Sequence, residues 1–180
     1  MYQALLLIGV GGVGKSTVAD AIGRVLTAAG TAVAVVDTDA LAQFGPPPTN
    51  AGVPVTGFYD GLKCINLAAL WANYKAIGAR HIVVSAGIDT AAWRSRFAAS
   101  LAGCTVQVVR LVAAPDTVRA RLRGRDGGLK LERHLTALTE HEAILDAARI
   151  EDFAVVNERP PDVVATEIVT RAGWIGSLSA

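Results

Sequence analysis

The sequence contains little cysteine, little net charge and no long hydrophobic run. Its 180 residues include 2 cysteines, Cys64 and Cys104, whose separation fits neither a metal site nor a redox pair. We expect both to be small buried apolar side chains without a disulfide framework, as in proteins of a reducing compartment. The formal net charge is +1, which excludes the strong basic field that favours nucleic acid or a membrane surface.

The distribution of apolar residues also argues against membrane insertion. No stretch approaches the roughly 20 apolar residues that span a bilayer, and Met1-Tyr2-Gln3 carries no positive charge of the kind that opens a secretory signal. We therefore expect a cytoplasmic protein, a monomer or homodimer, with no nucleic-acid or membrane partner. The hydrophobic fraction is 52% and the charged fraction 18%, which is typical of one well-buried α/β domain.

Residues 9–16 read Gly-Val-Gly-Gly-Val-Gly-Lys-Ser and match the pattern G-x-x-x-x-G-K-[ST] at every position. In this motif the backbone N–H groups of a glycine-rich loop wrap nucleotide phosphates, the lysine reaches the outer phosphates, and the serine hydroxyl holds Mg²⁺. An apolar run precedes the motif and a helical pattern follows it, so a helix N-terminus adds its dipole to the site. The predicted nucleotide-binding residues are Gly11, Gly12, Val13, Gly14, Lys15, Ser16 and Thr17.

Short apolar runs alternate with helical patterns along the chain, which predicts an α/β protein with a parallel sheet covered by helices on both faces. The predicted strands cover about residues 3–8, 32–36, 81–85, 105–112 and 153–156. The predicted helices cover about 15–29, 62–77, 91–101, 130–148 and 161–172, with a further helix that Pro115 opens. A stretch rich in proline and glycine, 45–61, predicts a long irregular loop, a feature that is often functional.

Two aspartates follow the second predicted strand, Asp37 and Asp39. Ligands of open α/β sheets bind outside the carboxyl ends of the strands, so one carboxylate could accept a proton from a substrate hydroxyl and the other could hold Mg²⁺. The two would point to the same side if the strand continued. The alternative is that Asp39 or Thr38 caps the next helix.

Arginines and small residues supply the other candidates at this edge. Arg121 and Arg125 share a helix face at spacing i, i+4 and could place cations around a transferred phosphoryl group; the alternative is a solvated basic face. Ser85-Ala86-Gly87 ends the third strand, where small residues could admit a substrate or simply form a turn. We expect the three histidines, His81, His134 and His141, to be structural or exposed, and Trp71 and Tyr74 to belong to the core.

These residues resemble those of the small-molecule P-loop kinases, a nucleoside monophosphate kinase-like family that includes shikimate, gluconate and adenylylsulfate kinases and antibiotic phosphotransferases. The resemblance rests on Gly9–Ser16, on the strand-ending aspartates, and on Arg121 and Arg125 before a segment broken by glycines. It implies a three-layer fold whose five-stranded parallel sheet has the order 2-3-1-4-5. It also implies one domain over 1–180, with an acceptor-binding insertion at about 39–78 and a lid at about 121–133.

The resemblance further implies an ATP-dependent phosphotransferase that moves the γ-phosphate of ATP·Mg²⁺ to a hydroxyl or phosphate of a small metabolite. Lys15, Ser16 and Arg121 or Arg125 would bind ATP·Mg²⁺, Asp37 or Asp39 would be the base, and Ser16 with Asp37 would hold the metal. The segment 157–160, with Asn157 and Arg159, would lie near adenine.

Several segments depart from named members of the family, so the acceptor stays open. The chain has no Asp-Gly-Phe-Pro-Arg segment of adenylate kinases. It has Ser85-Ala86-Gly87 where shikimate kinases have three glycines, and Asp37-Thr38-Asp39 where adenylylsulfate kinases have Asp-Gly-Asp. The alternative function is a nucleotide-driven switch or metallochaperone-type P-loop NTPase that acts on a protein partner; the sequence has no Asn-Lys-x-Asp segment of a guanine reader.

Overall fold

A parallel sheet of five strands forms the centre of the computed structural model, which describes residues 1–175. Its strands are β1 Tyr2–Ile8, β2 Val33–Asp37, β5 His81–Ser85, β6 Cys104–Val112 and β7 Phe153–Val156, and a separate antiparallel pair is formed by β3 Thr49–Asn50 and β4 Val53–Pro54. The helices are α1 Lys15–Ala28, α2 Phe58–Ala76, α3 Ala91–Ser100, α4 Pro115–Arg125, α5 Gly128–Ala148 and α6 Pro161–Arg171. A short 3₁₀ helix, Thr38–Ala42, follows β2.

The order of the central sheet is β2-β5-β1-β6-β7, with every neighbouring pair parallel. Counted in chain order within this sheet, that is 2-3-1-4-5, so the predicted topology is confirmed. Helix α1 packs against α6, and α2 packs against α3. Since helices cover both faces, the two central strands carry continuous apolar runs rather than an alternating pattern: residues 4–8 of β1 and 82–84 of β5 are all buried.

Trp71 and Tyr74 of α2 belong to the core or pack against it, as expected. Trp71 is 1% exposed, and its ring meets the edge of the Tyr2 ring at a centroid distance of 5.6 Å. Cys64 and Cys104 are free thiols that are partly buried against the same core. Burial raises the pKa of both, to about 11 for Cys104, so both thiols remain protonated at neutral pH.

The chain after β2 differs from the sequence-based expectation. The strand ends at Asp37, whose side chain accepts a hydrogen bond from the Asp39 backbone N–H at 2.9 Å and so caps the 3₁₀ helix. The buried Thr38 hydroxyl donates to the Ser85 carbonyl at 2.9 Å. Because the chain turns here, Asp37 and Asp39 do not project from one continued strand.

Other boundaries also shift. The predicted irregular loop 45–61 contains the small pair of strands, and α2 begins at Phe58 because Gly57, at φ 70°, turns the chain into the helix. Helix α3 is capped by the Thr90 hydroxyl, which accepts a hydrogen bond from the Trp93 backbone N–H at 3.3 Å. Within residues 1–175 no helix combines the length and apolar character needed to cross a membrane.

Candidate active site

The glycine-rich loop joins β1 to α1 and is packed too closely for side chains at three of its glycines. A Cβ on Gly9 would lie 2.7 Å from the Leu111 carbonyl oxygen. A Cβ on Gly12 would lie 2.7 Å from Leu122 Cγ, and a Cβ on Gly14 would lie 2.5 Å from Asn157 Nδ2. Both residues also have left-handed φ values, +82° and +103°, where side chains are strained. Gly11 has open space around it. The loop is therefore fixed from behind by α4 and by the end of β7, and its Gly11 side is accessible.

Lys15 begins α1 and lies across this loop. Its Nζ donates to the Gly9 carbonyl at 2.8 Å and to the Val10 carbonyl at 3.1 Å. Burial lowers the pKa of Lys15 to about 8, against the opposing charges of Asp39 and Asp37. The ammonium is thus a partly desolvated donor whose present partners are backbone carbonyls.

The ends of α1, β2 and β5 meet beside Lys15. The strand register places Asp37 opposite Ser85. Ser16 Oγ donates to Asp37 Oδ2 at 2.5 Å and lies 3.4 Å from Ser85 Oγ. A hydroxyl in contact with a carboxylate is the kind of hard oxygen set that Mg²⁺ takes in nucleotide sites.

Asp39 has different surroundings from Asp37. Its side chain is 83% exposed, and its Oδ1 lies 3.3 Å from Lys63 Nζ on α2. Lys63 also lies 3.6 Å from Asp60 one helical turn away. The Lys63–Asp39 contact was missed by sequence reasoning, since only the packing of α2 on the 3₁₀ helix brings the two together.

Arg121 and Asn157 hold the loop from behind. Arg121 donates from Nη1 to the Val13 carbonyl at 3.0 Å and from Nη2 to the Asn157 carbonyl at 2.8 Å. The buried Asn157 amide donates to the same Val13 carbonyl at 2.7 Å. The two side chains, which sequence reasoning assigned to phosphate and adenine, thus both support the loop backbone while lining the cleft in front of it.

A buried carboxylate lies at the junction of α4 and α5. The Asp126 side chain is 1% exposed, with Arg125 Nη2 at 2.8 Å, Lys130 Nζ at 3.0 Å and His134 Nδ1 at 2.7 Å. The hydrogen bond from Arg125, with those from His134 and Lys130, holds the pKa of Asp126 far below its usual range. Sequence reasoning missed Asp126; the spacing of Lys130 four residues later was the available signal.

Two cavities meet at the phosphate loop. The larger one has a volume of about 750 Å³ and the smaller one about 220 Å³. Both are lined by Gly11, Lys15, Asp39, Ser85 and His134. The larger cavity alone is lined by Gly12, Gly14, Ser16, Thr17, Arg121, Arg125, Lys130, Asn157, Arg159 and Pro161, and the smaller one alone by Gly9, Ala86, Gly87, Ala137, Leu138 and His141.

The two cavities divide the residues that the sequence analysis considered into two groups. Arg159 lies at the rim of the larger cavity and pairs with Glu167. His134 and His141, which we had expected to be structural or exposed, both line the smaller cavity. The two histidines are seven residues apart, which is about two helical turns, so they lie on one face of α5. This spacing is the sequence feature from which a shared role could have been predicted. Within the predicted acceptor insertion 39–78, Asp39 alone lines the two cavities, and it lines both of them.

No group of three or more His, Cys, Asp or Glu side chains is arranged to hold a metal ion by itself in the part of the chain that the structure describes. The oxygen pair of Ser16 and Asp37 would instead share a cation with phosphate oxygens, as Mg²⁺ sites in nucleotide-binding proteins do.

The sheet order and the loop between β1 and α1 together define the P-loop fold in the form adopted by small kinases. No protein-family model and no curated protein matches the sequence. Solved structures do match. The tunicamycin resistance protein of Deinococcus radiodurans is 19% identical, with a TM-score of 0.66 over 96% of each chain.

Two further solved structures are similar along nearly the whole chain. A gluconokinase from Sinorhizobium meliloti is 23% identical, with a TM-score of 0.61 over 96% of this chain and 92% of that one. A shikimate kinase from Acinetobacter baumannii, solved with shikimate, is 15% identical, with a TM-score of 0.62 over 99% and 97%. At these identities the likeness establishes the fold, which is that of the P-loop kinases.

Proposed function

We propose that the protein is an ATP-dependent phosphotransferase that moves the γ-phosphate of ATP to a hydroxyl group of a small metabolite. The observation that carries this proposal is the pair of cavities that meet at Lys15, Asp39 and Ser85. A kinase needs two substrates to approach in line at one phosphoryl group. The P-loop kinases with the same fold, which include a gluconokinase and a shikimate kinase, support the proposal.

The larger cavity is the proposed ATP site. The loop N–H groups bind the phosphates, Lys15 exchanges the Gly9 and Val10 carbonyls for phosphate oxygens, and Ser16 with Asp37 would hold Mg²⁺. When bound, ATP·Mg²⁺ supplies the transferable phosphoryl group together with metal charge that stabilises its leaving oxygen. Asn157 and Arg159 also line this cavity and are the proposed residues on the adenine side.

Asp39 is the proposed general base, and Asp37 is proposed to orient Ser16. Both Asp37 oxygens are engaged, Oδ2 by Ser16 and Oδ1 by the Asp39 backbone N–H. Asp39 keeps an exposed carboxylate that lines both cavities. An acceptor hydroxyl in the smaller cavity would therefore meet Asp39 on its way to the phosphoryl group.

The α4–α5 junction is the proposed lid. Asp126 and Gly127 separate the two helices, and Arg125 and Lys130 on either side line the ATP cavity. Closure of this segment would bring these cations toward the transferred phosphoryl group, where positive charge stabilises the transition state. Arg121 remains on the loop carbonyl and positions the loop.

The proposal is tested by ADP release from the full-length protein with ATP·Mg²⁺ across sugars, polyols, nucleosides and hydroxy acids. We expect turnover that depends on an acceptor and disappears in Lys15→Ala. The control Lys75→Ala removes a lysine distant from the loop, where it donates to the Ala102 carbonyl, and should retain turnover. ATP hydrolysis that ignores every small acceptor and rises with a protein partner would instead favour the nucleotide-driven switch.

A further inference from the structure

We propose that the smaller cavity binds an uncharged acceptor with several hydroxyl groups and that His141 is a residue that selects it. This inference rests on the proposed phosphotransfer and deepens it by naming the class of acceptor. It departs from the anionic substrate named in the shikimate kinase complex, which shares the fold.

The cavity offers no cation dedicated to an anionic acceptor. Its ionisable lining within the described chain consists of Lys15, Asp39, His134 and His141. The Lys15 ammonium is committed to the phosphate loop, at 2.8 Å from the Gly9 carbonyl. A carboxylate or phosphate on the acceptor would therefore lie beside the Asp39 carboxylate, and no uncommitted lysine or arginine among the described residues lines the cavity to pair with it, which is unfavourable in a partly desolvated site.

The nearest other cations lie outside the smaller cavity. Lys63 Nζ, at 3.3 Å from Asp39 Oδ1, is shared with Asp60 at 3.6 Å. Arg125 and Lys130 line the ATP cavity and not the smaller one, and both are held by the buried Asp126 at 2.8 and 3.0 Å. Arg110 is buried against Asp146 at 2.7 Å. Each arginine or lysine near the acceptor side thus already has a partner of opposite charge.

The two imidazoles suit hydroxyl groups instead. His141 is half-buried, and burial, followed by the Lys15 charge, lowers its pKa, so the neutral ring carries one donor and one acceptor nitrogen. A hydroxyl group likewise donates and accepts. His134 uses Nδ1 to contact Asp126 at 2.7 Å, which leaves Nε2 for the cavity it lines.

The rest of the cavity wall consists of small or apolar residues, and the cavity itself is small. Ala86, Gly87, Ala137 and Leu138 complete the cavity, whose volume of about 220 Å³ lies below the roughly 300–1,000 Å³ of pockets for drug-sized ligands. An acceptor of the size of one sugar ring or less fits this space. Its hydroxyl groups would meet the imidazoles on α5 and the Asp39 carboxylate across from them.

The test uses the full-length protein and matched pairs of acceptors that differ in charge: glucose and gluconate, glycerol and glycerate, ribose and ribose 5-phosphate. Turnover is measured with ATP·Mg²⁺, and binding is measured by calorimetry in the presence of a non-hydrolysable ATP analogue. We expect an uncharged member to give the highest kcat/KM, about tenfold or more above its anionic partner, since one buried unpaired charge costs at least that much.

Variants of His141 separate its role from a structural one. His141→Leu should raise KM for the preferred uncharged acceptor about tenfold or more, with a smaller change in kcat and unchanged affinity for the ATP analogue. His141→Gln, which keeps a donor and an acceptor, should restore much of the loss. His141→Arg should move the preference toward the anionic member of a pair. Glu140→Gln, one residue away on an exposed position, is the control and should match the wild type.

The outcomes distinguish this inference from the proposed function. If an anionic member has the higher kcat/KM, or if His141→Leu leaves KM unchanged, the inference is wrong while phosphotransfer stands. If no acceptor is phosphorylated, phosphotransfer fails, and calorimetry decides the inference alone: His141-dependent binding of an uncharged member supports it. Absence of binding by every uncharged member overturns it.

Discussion

Gly14→Ala is a substitution in the phosphate loop whose cost can be worked out from two features of the structure. Gly14 has φ +103°, and a Cβ there would lie 2.5 Å from Asn157 Nδ2. A left-handed backbone costs an alanine roughly 1–2 kcal/mol. The Asn157 amide must also move, which weakens its hydrogen bond to the Val13 carbonyl at a cost of about 1 kcal/mol.

The two costs together are about 2–3 kcal/mol, which lowers the Tm of a chain of this size by roughly 4–12 °C. Gly11→Ala is the matched control, because no atom lies within 4 Å of its added Cβ. Its free energy of unfolding should change by less than about 0.5 kcal/mol, although its methyl group enters the cavities. Thermal unfolding of both variants without nucleotide measures the difference.

A double-mutant cycle isolates the contact. Asn157→Ala removes the amide that an alanine at 14 would meet, while Arg121 still donates to the Val13 carbonyl at 3.0 Å. The loss in Gly14→Ala combined with Asn157→Ala should therefore be smaller than the sum of the single losses by about 1 kcal/mol. Equal Tm values for Gly11→Ala and Gly14→Ala, or strict additivity in the cycle, would refute this account of the loop.

Three further outcomes follow from the site. Because the pKa of Lys15 falls from 10.5 to about 8 on folding, the unfolded chain binds more protons between these values, so stability rises with pH there. Chemical unfolding between pH 7 and 10.5 should show that the free energy of unfolding of the wild type rises by about 3 kcal/mol relative to that of Lys15→Met. A difference between the two proteins that does not change with pH would contradict the lowered pKa of Lys15. Asp39→Asn should lower kcat about 10²-fold or more while its affinity for ATP is unchanged. Asp37→Asn should instead raise the Mg²⁺ concentration needed for half-maximal turnover. If steady-state kinetics give the reverse pattern, Asp37 is the base and Asp39 belongs to the metal site. Asp126→Asn should speed hydrogen exchange at the start of α5, and unaltered exchange rates would show that the carboxylate does not hold the α4–α5 junction.

The features that depend on contiguous residues could be predicted from the sequence. The phosphate loop is one unbroken motif, and β1 and β5 each contain an apolar run because the sheet is covered on both faces. The strand order came from resemblance rather than from residue patterns, and the structure confirms it. Helix α2 begins earlier than predicted because the turn at Gly57 depends on a left-handed backbone, φ 70°, which apolar periodicity does not report.

The contacts that distinguish the site from a generic phosphate loop join residues far apart in the chain. Lys63 meets Asp39 only because α2 packs on the 3₁₀ helix, and Asn157 meets Val13 across 144 positions. The imidazoles of His134 and His141 line a cavity only because α5 passes beside the phosphate loop. Sequence spacing places these two side chains on one face of a helix, but it does not say what that face meets.

The different environments of Asp37 and Asp39 show how the fold assigns roles to similar residues. The pattern Asp-Thr-Asp offers two carboxylates two positions apart, and a continued strand would have given them the same direction. The Thr38 hydroxyl instead bonds to the end of β5 at 2.9 Å and turns the chain. Asp37 therefore stays within the sheet register opposite Ser85 and binds Ser16, while Asp39 is carried out to the junction of the two cavities. The turn at Thr38 thus separates the carboxylate that is proposed to orient Ser16 from the one that is proposed as the general base.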